Sequence, residues 1–80
     1  MIDPRAHAEL IGLVREYRSA ERHLRDLQRM VERAERALAR DAFRPAFVVE
    51  HAVARSLLMA ASAAAAALRD AIKVAQRPRR

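Results

Sequence analysis

The sequence predicts an all-α fold: an antiparallel two-helix hairpin of coiled-coil character, completed by dimerisation or by a partner protein. Three observations predict it. A seam of apolar residues recurs in steps of three and four through the first half of the chain. A break, Asp41-Ala42-Phe43-Arg44-Pro45, interrupts the pattern near the middle. A second long stretch follows with few residues that disfavour a helix, since the only glycine is Gly12 and the prolines are Pro4, Pro45 and Pro78.

The first helix is expected over residues 4–40. Asp3 can accept hydrogen bonds from the first free N–H groups, and Pro4 suits the first helical position. The seam reads Leu10, Leu13, Tyr17, Ala20, Leu24, Leu27, Val31, Ala34 and Leu38, with every core position of the heptad apolar. Arg15, Arg22, Arg29 and Arg36 repeat every seven residues on the opposite face. Glu21 precedes Arg25 by four, and Glu32 precedes Arg36 by four; such pairs add about 0.2–0.5 kcal/mol each to a helix.

Residues 41–45 are expected to form the turn. Pro45 disfavours a helical Arg44 and opens the second helix, expected over 46–76. Phe43 is expected to plug the end of the hairpin. Residues 1–76 then form one domain and residues 77–80 a basic tail.

The second helix has a narrow polar stripe: His51, Arg55, Ser62, Arg69, Lys73 and Gln76. One apolar edge carries Phe47, Ala54, Leu58, Ala61, Ala65, Leu68 and Ile72. Another carries Val49, Val53, Leu57, Ala60, Ala64, Ala67 and Ala71. A hairpin helix needs a stripe about 100° wide, and this one is roughly twice that. The first edge can meet the other helix. The second, Val49 to Ala71, is the candidate partner-binding surface.

Size and composition agree. Eighty residues allow one domain with a small core. Nineteen residues are alanine, so the hydrophobic share of 52% overstates the area available for burial. Without cysteine there is no disulfide, and the staple left to so small a chain is association. Arg77, Arg79 and Arg80 supply half of the formal charge of +6. No signal peptide is evident, and a cytoplasmic location is expected. The longest uncharged run, Ser56 to Leu68, is mostly alanine and shorter than the roughly 20 apolar residues of a membrane span. No span is therefore expected, and alanine is a poor anchor for a membrane surface.

Catalytic chemistry finds no support. In an antiparallel hairpin turning near Phe43, His23 faces Ala63, His51 faces Glu35, and His7 lies by the C-terminal end. The histidines do not converge on a metal, although His51 and Glu35 can pair. Ser19 and His23 are four apart but have no third group or oxyanion donor. Glu32 and Glu35 are neighbours on a solvated helix, and there is no glycine-rich phosphate loop. No enzyme activity, metal or cofactor is expected. The arginine row could follow phosphates, as on a dimeric four-helix bundle, but Glu16, Glu21, Asp26, Glu32 and Glu35 dilute its field. With no exposed aromatic expected for base stacking, nucleic acid remains the lesser alternative, carried by Arg15, Arg22, Arg29 and Arg36.

From Leu24 to Leu68 the chain resembles the small helical-hairpin co-chaperones of type III secretion needle proteins. The resemblance is carried by Leu27-Gln28, by Leu38-Ala39-Arg40 leading into the turn, by Ala42 and Phe47, and by Ala54-Arg55 followed by Leu57. It implies pairing with a tetratricopeptide-repeat chaperone that keeps the needle subunit soluble before export. The chain departs from that pattern in being more basic, in its alanine-rich second helix and in its arginine tail. The alternatives are a homodimeric four-helix bundle and a small phage-type inhibitor of a host protein.

Overall fold

The computed structural model describes residues 3–77. Two helices account for almost all of them: α1, Pro4–Arg40, and α2, Pro45–Ala75. They pack side by side in opposite directions as a hairpin. The helix α2 begins one residue before the expected Ala46 and ends one before Gln76. Pro78, Arg79 and Arg80 of the expected tail lie outside the described residues, as do Met1 and Ile2.

Both ends of α1 are closed by aspartate. Asp3 accepts the Arg5 N–H through Oδ1 at 3.0 Å, and its carbonyl accepts the His7 N–H at 3.0 Å. At the other end the Asp41 N–H donates to the Ala37 carbonyl at 3.1 Å. Asp41 also organises the turn. Its Oδ1 accepts the Phe43 N–H at 3.2 Å, and its Oδ2 lies 3.5 Å from Arg44 Nε. The Arg44 carbonyl then accepts from Phe47 and Val48 at 3.1 and 3.3 Å, which starts α2 with Pro45 in its first turn.

The expected plug is not Phe43. That ring is 95% exposed. The side-chain bond of Asp41 to the Phe43 N–H tightens the loop and leaves the ring outside it. Phe47 is half-buried at the end of the hairpin instead, with the Arg44 guanidinium 5.0 Å above its ring.

All nine seam residues of α1 are buried or half-buried. So are all seven residues of the first α2 edge, from Phe47 to Ile72. The most enclosed are Leu27, Val31 and Ala34 of α1 with Ala54 and Ala65 of α2. Alanine on the α2 side lets the helix backbones approach, but each methyl contributes little buried area. The expected Glu21–Arg25 and Glu32–Arg36 pairs do not close; α1 holds Asp26–Arg29 instead, at 3.7 Å between exposed side chains. Long charged side chains in water gain little from any one pairing.

The result is a rod of 61 × 17 × 13 Å with a Cα radius of gyration of 18.1 Å. A compact chain of this length would have a radius of about 12 Å. The accessible surface is 6752 Å², against about 4,900 Å² for a compact 9.0 kDa chain.

Candidate docking site

The second α2 edge is left open to solvent. Val49, Val53 and Leu57 are 61%, 52% and 47% exposed. Ala60, Ala64 and Ala67 are also exposed, and Ala71 is half-buried. The edge is fixed by periodicity: once Ala54, Leu58, Ala61 and Ala65 point at α1, the residues one position before them, Val53, Leu57, Ala60 and Ala64, are turned about 100° away from it.

Near the turn this edge borders a groove of about 390 Å³, walled by Met30, Arg33, Ala34 and Ala37 of α1 and by Val49, Glu50, Val53 and Ala54 of α2. A second shallow depression lies along Ala52, Val53, Ser56 and Leu57. The α1 wall is what a reading of α2 alone misses. Met30 and Ala37 lie seven apart, one step outside the seam, so heptad spacing could have found them. They widen the apolar strip across both helices.

The His51–Glu35 contact forms, with Nε2 3.6 Å from Oε1. His51 is half-buried and its Nε2 has no hydrogen-bond partner. His7 and His23 are exposed, and Ser19 is exposed beside His23. Among the described residues no three His, Asp or Glu side chains gather as a metal site.

The row Arg15, Arg22, Arg29 and Arg36 is exposed along the outside of α1. Asp26 engages Arg29, and Glu32 shares a depression with Arg29, Arg33 and Arg36. The expectation that no aromatic is exposed is corrected by Phe43. That ring stands at the tip of the hairpin, in the loop after the α1 arginine row has ended.

By length and composition alone α2 is long and apolar enough to cross a bilayer, a test that the core helix of a soluble protein also passes.

No family model, curated protein or solved structure matches this chain. The site is therefore defined by its own geometry: an apolar strip on one side of a thin rod, bordered on α1 by Arg33 and on α2 by Glu50.

Proposed function

We propose that the protein is a non-catalytic interaction module that docks another protein chain along the α2 edge from Val49 to Ala71. The observation that carries this reading is the exposure of Val49, Val53 and Leu57 in line, next to the groove formed with Met30. Burying apolar area is worth about 25 cal/mol per Å² before association costs. A strip running along a 31-residue helix offers ample area.

The finer reading comes from the resemblance over Leu24–Leu68. The module would act as a needle co-chaperone, pairing with a tetratricopeptide-repeat chaperone in the bacterial cytoplasm and helping to keep the needle subunit soluble. The groove of a helical-repeat protein suits a rigid helix with one apolar edge. Insertion of α2 into a bilayer is disfavoured by its neighbour, since α1 packs along it and presents a charged outer face.

Co-expression with a tetratricopeptide-repeat chaperone and a needle subunit of a type III secretion system tests the reading. The wild-type chain should co-purify with them. Leu57→Asp and Ala64→Asp should each lose the complex while keeping their helical circular dichroism, because each puts an unpaired charge into a packed contact. Co-purification of both variants at wild-type yield would remove the edge from the interface.

A further inference from the structure

The exposed edge of α2 is unevenly filled. Its half nearer the turn carries Val49, Val53 and Leu57, whereas its far half carries only Ala60, Ala64, Ala67 and Ala71. The flank of α1 beside it is uneven in charge. Heptad spacing puts Glu9 and Glu16 on this flank toward the open end, where with Arg5 they leave a net negative charge, and Arg33 and Arg40 toward the turn. All five side chains are exposed, and Arg33 lines the groove with Val49 and Val53.

We infer that a second copy of this chain covers the face when no other partner does, antiparallel, about a two-fold axis crossing α1 between Leu24 and Arg25 and α2 at Ser62. The inference rests on the reading of that edge as a docking surface. It makes self-pairing and partner binding mutually exclusive.

The axis lays α1 on α1 and α2 on α2 of the other copy, as an isologous contact requires. Glu16 then stands opposite Arg33 of the partner subunit and Glu9 opposite Arg40 of the partner subunit, each pair occurring twice. Along α2, Val53 meets Ala71 of the partner subunit and Leu57 meets Ala67 of the partner subunit. Large residues thus fall against small ones, as interdigitated helices need. One axis serves both helices: the Glu35–His51 contact sets the hairpin register and puts Leu24 and Arg25 level with Ser62 and Ala61.

A two-fold axis along the helices would instead bring equal heights together and match neither the charges nor the sizes. The remaining acidic residues do not reverse the pattern. Asp26 stands within two residues of the axis and favours neither end, and Glu50 lowers the positive charge near the turn without cancelling both arginines. Asp70, in the same row of α2 as Val49, is offset by Arg77, seven residues on.

The area is sufficient. The rod measures 61 × 17 × 13 Å, so one broad side offers roughly 1,000 Å². Each partner in a standard interface gives up about 800 Å².

The test uses the full chain at low salt. Sedimentation velocity reads the stoichiometry, and native mass spectrometry of mixed variants reads the orientation. The wild type sediments as a dimer, and Leu57→Asp as a monomer. The double variant Glu9→Arg, Glu16→Arg makes both ends of the face basic, and Arg33→Glu, Arg40→Glu makes both acidic. Each alone weakens self-association by about tenfold, and mixing them restores a one-to-one heterodimer. These four side chains are exposed, so the variants keep their helical signal. A wild-type monomer across the micromolar range overturns the inference, while partner capture that still depends on Leu57 leaves the docking reading standing. Wild-type association of both charge variants, with random mixing, overturns the antiparallel register. Leu57→Asp that keeps both the dimer and the partner complex overturns the docking reading itself.

Discussion

His51 stands in the α2 seam between Phe47 and Ala54, where an apolar side chain would complete the contact with α1. Its Nε2 is buried without a hydrogen-bond partner, and Glu35 approaches only to 3.6 Å. Glu35 is 60% exposed, so water screens the pairing. A buried polar atom left without a partner costs about 1–3 kcal/mol. His51→Leu removes that cost and fills the seam, while Glu35 stays solvated. The unfolding free energy from urea titration should rise by about 1 kcal/mol. A fall of that size would mean that the Glu35 contact stabilises the hairpin more than its geometry suggests.

At the scale of the helix, Gly12 in α1 is the clearest weakness. A methyl group placed there meets nothing within 4 Å, and a glycine inside a helix costs about 0.8–1.0 kcal/mol relative to alanine. Gly12→Ala should therefore raise the thermal midpoint by about 4–8 °C, read by circular dichroism at 222 nm. Unchanged melting would place residue 12 in a frayed part of α1.

The helices and their buried faces were legible in the sequence because they follow from a period. Leu10 to Leu38 and Phe47 to Ile72 recur at helical spacing, and the same spacing left Val49, Val53 and Leu57 outside. The place of the turn was legible from the broken heptad and Pro45, and the helices do end and restart at Arg40 and Pro45, but its plug was not. Whether Phe43 or Phe47 closes the hairpin depends on which backbone N–H the Asp41 carboxylate takes, and no periodicity encodes that. The His51–Glu35 contact followed from the hairpin register, whereas the pairs along α1 did not, because one exposed pairing of long side chains is worth too little to be singled out. The α1 wall of the groove went unread because Met30 and Ala37 are weakly apolar neighbours of a strong seam.

For the whole molecule, shape sets stability. A rod with five well-buried residues, three of them alanine, cannot gather the area that ordinarily offsets the conformational entropy of 80 residues. Coverage by a second copy supplies what the hairpin lacks, and it ties folding to association. The thermal midpoint of such a dimer depends on concentration by mass action. Each tenfold increase in protein contributes about 1.4 kcal/mol. Spread over the unfolding entropy of two chains, that raises the midpoint by about 4 °C. Differential scanning calorimetry of the wild type over a hundredfold concentration range should therefore move the transition by about 8 °C. Leu57→Asp, which takes the edge out of use, should melt at a lower temperature that does not move with concentration. A wild-type midpoint independent of concentration would mean that the hairpin is stable with the α2 edge wet.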